Sequence, residues 1–200
     1  MQKIARKTAY AKCPKFPHSD NKSETFYFPK SYKDGALIVG AKTPIAYSKE
    51  LSVAFSKLIT NLGIENLVFL GDTKTPWLNQ ENDYKPVKEA LQYLKDSNVG
   101  GRFNGALKIE AIDLEKFMRH LFWLSRCNAT LPEFYFMDEK QNILGTVCKY
   151  GFVHISILNK KTDENFKKAL KASGFKYLQD TKCYDLFGKT GATKNRQTKA

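Results

Sequence analysis

Cys148 and His154 put a thiol and an imidazole six residues apart, the two groups that a nucleophile and its base require. The chain between them decides whether they meet. Read as a two-residue hairpin turn, Tyr150-Gly151 pairs Lys149 with Phe152, Cys148 with Val153 and Val147 with His154. That register sends Cys148 and His154 to opposite faces of a sheet and predicts no dyad. His154 then needs another partner, and Asp72 is the candidate. It lies in Gly71-Asp72-Thr73-Lys74, directly after an apolar strand and at the edge where open α/β sheets bind ligands, with Gly40 and Thr43 expected beside it. Asp72 and His154 converging on one cleft would make a hydrolase or a nucleotide-binding enzyme. Ordinary turn chemistry competes, because Gly-Asp-Thr also closes loops with no ligand at all. Three histidines and four cysteines, with no close pair at ligand spacing, predict no metal.

A second constellation lies on a helix expected to run from Asp113 to about Cys127. Leu114, Phe117, Met118, Leu121, Phe122 and Leu124 supply its apolar arc. Lys116, Arg119, Trp123 and Arg126, spaced i, i+3, i+7 and i+10, fall within about 80° on the other side. A ring flanked by guanidinium groups can stack an unpaired base while the cations hold phosphate. The competing reading is a covered Trp123, since large indoles are more often buried than displayed. Lys167, Lys168 and Lys171 add a basic outer face to a later helix. Gly188-Lys189-Thr190 lacks the upstream glycine of a phosphate loop and is set aside.

Charge favours a polyanion. The 200-residue chain carries 33 Lys+Arg against 20 Asp+Glu, a formal +13. The charge sits at the ends: +7 over residues 1–49, −3 over 50–139 and +9 over 140–200. Such a field concentrates nucleic acid or an acidic protein around it. Twenty-eight of the cations are lysines, point charges that neutralise phosphate without reading bases. Four scattered cysteines and a basic N-terminus with no apolar stretch behind it predict reduced thiols and a cytoplasmic address. No apolar run approaches the roughly 20 residues that span a bilayer.

The elements that must position these groups are read from periodicity. Apolar strings at 36–40 and 67–70, around a helix striped by Leu51, Ala54, Phe55, Leu58, Ile59 and Leu62, spell a parallel β-α-β crossover. A helix over 84–96 and a strand over 106–111 follow, then the helix bearing Trp123. Strands at 134–136, 143–148 and 152–158 form an antiparallel meander, and a last helix stops at Gly174. The expectation is an α/β to α+β fold with a mixed sheet and about four helices. A basic arm (1–24) precedes one compact domain (25–182, with a possible seam near 98–105), and a basic flexible tail (183–200) follows it. The expected function is non-enzymatic binding of a polyanion, first of all nucleic acid, through Lys116, Arg119, Trp123, Arg126, Lys167, Lys168 and Lys171, with no cofactor. The alternatives are the Asp72 enzyme and an inhibitor or immunity-type protein that binds an acidic protein.

Overall fold

The computed structural model describes residues 1–19, 26–79, 82–127, 134–178 and 183–187. In chain order the elements are β1 (Gln2–Ile4), α1 (Arg6–Lys12), β2 (His18–Ser19), β3 (Phe26–Tyr27), β4 (Lys33–Ile38), α2 (Pro44–Asn61), β5 (Asn66–Leu70) and α3 (Lys85–Asp96). There follow β6 (Ala106–Glu110), a 3-10 turn (Ala111–Asp113), α4 (Leu114–Cys127), β7 (Tyr135–Asp138), β8 (Ile143–Val147), β9 (Val153–Ile157), α5 (Lys160–Ser173) and β10 (Lys176–Tyr177). Eight strands make one sheet in the order β1-β6-β5-β7-β8-β9-β4-β10, and β2 pairs with β3 in a separate ribbon.

Every pairing in the large sheet is antiparallel, so the fold is α+β and the expected parallel crossover is absent. Strands β4 and β5 do flank α2, but β9, β8 and β7 lie between them. The apolar string at 67–70 is real, yet its cause differs. Leu67 and Phe69 face the main core while Val68 and Leu70 face a second cluster, so the strand is covered on both sides. A continuous apolar run reports burial of both faces and says nothing about strand direction.

Helices α2, α3, α4 and α5 form one layer, with α2 against α4 and α5, and α3 against α4. Helix α2 begins well before Leu51, the first residue of its apolar stripe. Thr43 caps it by accepting from the Ala46 amide at 3.2 Å, and Pro44 opens its first turn. Asn159 caps α5 through the Thr162 amide at 2.9 Å, and Gly174, at φ 95°, ends it.

The other side of the sheet is divided. Over β1, β6, β5, β7 and the start of β8 it is covered by α1 and Phe16, which bury Ala9, Cys13 and Phe16 against Ile4, Val68, Leu70, Ala106, Met137 and Leu144. Residues 1–19, expected within an arm, are therefore docked. Their few apolar residues are widely spaced because they only have to cap an existing sheet, and no sustained periodicity announces them. Over β8, β9 and β4 the same face carries Thr146, Cys148, His154, Ser156, Ala36 and Asp34, and no described helix lies on it. No described helix is long and apolar enough to cross a membrane.

Candidate functional site

The β8–β9 hairpin sets the chemistry of this open half. Val147 pairs with Val153 and Thr146 with His154, one residue out of the expected register. The Cys148 amide donates to the Phe152 carbonyl at 3.0 Å and the Gly151 amide to the Cys148 carbonyl at 2.8 Å, which closes a three-residue loop, Lys149-Tyr150-Gly151. Gly151 takes φ 86°, the left-handed residue that such loops require. An added Cβ there would also sit 2.6 Å from the Phe122 ring. A one-residue slip moves a side chain to the opposite face. Cys148 thus joins Thr146 and His154 on the same face, and the expected separation of thiol and imidazole is overturned.

Cys183 arrives from beyond β10 to complete the group. Its Sγ lies 3.2 Å from His154 Nε2, and one donor atom from each of Cys148, His154 and Cys183 lies within 4.8 Å of the other two. All three residues are half-buried. Burial pushes the Cys148 thiol up, but the His154 hydrogen bond, the amides of Tyr150 and Phe152 and the His154 charge outweigh it and leave it below the ordinary thiol value. Burial pushes the Cys183 thiol up to about 12, and the neighbouring Cys148 sulfur adds to the rise. The two sulfurs are thus shifted in opposite directions, Cys148 down and Cys183 up.

Cys183 is held in place by the residues that follow it. Past it, Tyr184 packs edge-on against Phe152 with centroids 5.7 Å apart, Asp185 accepts from Arg126 at 2.7 Å, and Phe187 is buried against Tyr47. Residues 183–187, expected to begin a loose tail, are a docked strap; 188–200 lie outside the described residues.

That strap also changes the α4 stripe. Trp123 is 5% exposed, packed against Phe122 and Tyr84 with centroids 5.0 and 5.6 Å away, and Arg126 is 3% exposed between Asp185 and the Phe187 ring. Neither can stack or hold a ligand in solvent as expected. From Leu121 to Cys127 the helix is buried on every side, because the approach to α3 and the strap cover its outer face. Lys116 and Arg119 remain exposed, on a cleft of about 760 Å³ shared with Lys85, Glu89, Glu115 and one edge of Trp123. The cations there are nearly balanced by acids.

Asp72 fares differently. The Arg6 guanidinium from α1 donates to the carbonyls of Gly71 (2.5 Å), Asp72 and Asn104 (2.6 Å), and Arg6 and Asp72 line a cavity of about 270 Å³ with Tyr10, Phe26 and Tyr135. The Asp72 carboxylate accepts from the Thr73 amide at 2.6 Å, as a turn residue does. Gly40 and Thr43 are elsewhere, since β4 is not next to β5. Asp72 follows β5 and His154 lies in β9, three strand spacings or about 14 Å across the sheet. Among the described residues no hydrogen-bond relay joins them, and the two line separate cavities rather than the one cleft expected.

The basic residues of the last helix are where expected. Lys167, Lys168 and Lys171 are exposed along α5, with Lys167 paired to Asp163 at 2.6 Å. Strands β4 and β10 with α5 carry seven lysines against three acids. A groove of about 550 Å³ at this edge is lined by Lys33, Asp34, Ala36, His154, Ser156 and Tyr177, among others, with the Lys33 ammonium 5.1 Å from the Tyr177 ring centroid.

Aromatic residues missed in the sequence are exposed around the margins of the sheet; by its pairing with Leu37, Tyr177 lies on the helix-covered face beside α5, at the β4–β10 edge, and not on the open face. Eight described large hydrophobics are exposed, and six of them are aromatic: Phe26, Tyr27, Phe28, Tyr32, Tyr177 and Tyr184. Rings of Phe26 and Phe28 lie 6.1 and 5.9 Å from that of Tyr135. By register, Tyr135, Thr146, His154, Ala36 and Leu178 form one row across the sheet. The signal was in the run Phe26-Tyr27-Phe28-Pro29-Lys30-Ser31-Tyr32-Lys33, where aromatics and lysines alternate too irregularly for a buried strand. No protein family model, curated protein or solved structure matches the chain.

Proposed function

We propose that the protein binds single-stranded nucleic acid, without catalysis, along the β4–β10 edge, where the half of the sheet that α1 leaves open meets α5. The observation that carries this reading is the composition of the exposed apolar surface. Six of its eight large members are rings, and lysines stand among them at Lys30, Lys33 and Lys176. Leu, Ile and Met would serve a protein interface as well; rings beside cations suit bases and phosphates, because every base has a π-face and every linkage a charge. Lys167, Lys168 and Lys171 extend the cationic edge along α5 and track the backbone rather than read sequence. The role first assigned to Trp123 and Arg126 passes to Phe28, Tyr32 and Tyr177.

Fluorescence anisotropy with labelled single- and double-stranded oligonucleotides tests it, over about 50–300 mM salt, where phosphate contacts give a steep slope. Single-strand binding that survives near 150 mM and weakens in Tyr32→Ala and Phe28→Ala is the expected result. Weak binding alike for single and double strands, gone by that salt, would discard the reading and turn the search to an acidic protein partner.

A further inference from the structure

The Cys148, His154 and Cys183 cluster uses no part of the nucleic-acid reading and demands its own account. Three donors come from three separate places in the chain: the residue just after β8, the second residue of β9 and the strap after β10. The hairpin register brings the first two to one face, and the strap delivers the third 29 residues beyond His154. Two sulfurs and one imidazole nitrogen, half-buried and with no carboxylate in the group, form a soft donor set. Zinc bonds of about 2.3 Å to sulfur and 2.0–2.1 Å to nitrogen place tetrahedral donors about 3.5–3.8 Å apart. The observed separations, 3.2 Å for Cys183 Sγ to His154 Nε2 and none above 4.8 Å, bracket that spacing, so a shift of a few tenths of an ångström at each side chain would seat an ion.

We propose that Cys148, His154 and Cys183 form a Zn²⁺ site. Cys148 and Cys183 bind as thiolates and His154 as neutral imidazole through Nε2. Binding therefore releases protons and favours the folded chain. Three protein donors leave one tetrahedral position to water, an anion or a group outside the described residues. His154 also lines the groove at the β4–β10 edge. The ion would join the strap covalently to the β8–β9 hairpin and hold Asp185 and Phe187 against Arg126 and Tyr47 from one end. Magnesium and calcium, which take oxygen donors, are not expected to bind here.

The test uses the full chain, stripped with a chelator under reducing conditions and titrated with Zn²⁺ or Co²⁺. Expected is one equivalent taken up. Cobalt should give a thiolate-to-metal charge-transfer band and the intense visible bands of a tetrahedral centre. Cys183→Ser should weaken binding by at least ~100-fold, beyond the 10–100-fold loss typical of a residue that only supports a ligand. Cys127→Ser, whose thiol is elsewhere in the core, should bind as the parent does. A readout on the unmutated chain removes dependence on how the variants fold: Zn²⁺ should slow alkylation of Cys148 and Cys183 more than about tenfold. Unchanged alkylation with no stoichiometric uptake overturns the metal site. A Cys148–Cys183 disulfide forming in air in that same metal-free chain would then identify the pair as redox thiols. Oligonucleotide binding is measured separately, so either proposal can fail alone.

Discussion

The two halves of one sheet face have opposite constitutions. Under α1, the face offers Ile4, Val68, Leu70, Ala106, Met137 and Leu144, all buried, and Ala9, Cys13 and Phe16 close over them. Further along, from the end of β8 across β9 to β4, it offers Asp34, Ala36, Thr146, Cys148, His154 and Ser156, none of them fully buried. The same backbone and the same alternation underlie both. The difference is that seven helical residues and a Phe cap the first half, whereas the second half keeps polar and ligating groups within reach of solvent. Cys13 and Cys148 make the contrast at a single residue type. Burial pushes the Cys13 thiol up to about 11, with the charges of Glu139 and Asp138 adding to it, while Cys148 meets an imidazole and falls.

Breaking the capped half should cost most. Phe16→Ala removes a side chain 1% exposed and should destabilise the protein by about 3–5 kcal/mol in urea unfolding, while Thr146→Ala, on the open half, should stay within about 0.5 kcal/mol. The strap comes next. Asp185→Asn leaves the Arg126 guanidinium buried with its ion pair removed and should cost about 3 kcal/mol, read in the same unfolding experiment. On the open half, Phe28→Ala should change stability by less than about 0.5 kcal/mol yet weaken single-strand affinity by roughly 5–100-fold, the worth of one stacked base. Such a separation of stability from binding is what the contrast between the halves requires.

The smallest effect concerns pH. His120 stacks on Tyr93 with centroids 4.4 Å apart; burial lowers its pKa, the charges of Lys116 and Arg119 lower it further, and Glu89 opposes them. The unfolded chain therefore takes up that proton first, near the ordinary value of 6.5, and folded stability declines as pH falls below it. His120→Gln should remove this part of the pH slope between about pH 7 and 5, measured by thermal melts.

Local periodicity made α2, α3, α4, α5 and the β7–β8–β9 meander legible in the sequence. Each carries its own signal: a stripe, a cap, or turn residues such as Asp138, whose Oδ1 accepts from the Asn142 and Ile143 amides at 2.7 and 2.8 Å. What was lost is non-local. Helix α1 buries one residue, Ala9, and signals nothing by itself. Trp123 and Arg126 do fall on the face opposite the apolar arc of α4; what covers them is Tyr84 and the strap, far along the chain. The Cys–His–Cys cluster turned on a single residue of loop length. With two residues in the turn the thiol and imidazole part; with three they meet. Cys183 then joins from 35 positions away, which no spacing rule for ligands anticipates.

The most direct test of where the protein binds is a lysine footprint: acylation rates of individual lysines by mass spectrometry, with and without a single-stranded oligonucleotide. Slower acylation at Lys30, Lys33, Lys171 and Lys176, with Lys85 and Lys116 unchanged, is the result that binding along the β4–β10 edge predicts. Protection at Lys85 and Lys116 instead, or no protection at a concentration that saturates the anisotropy signal, would contradict it.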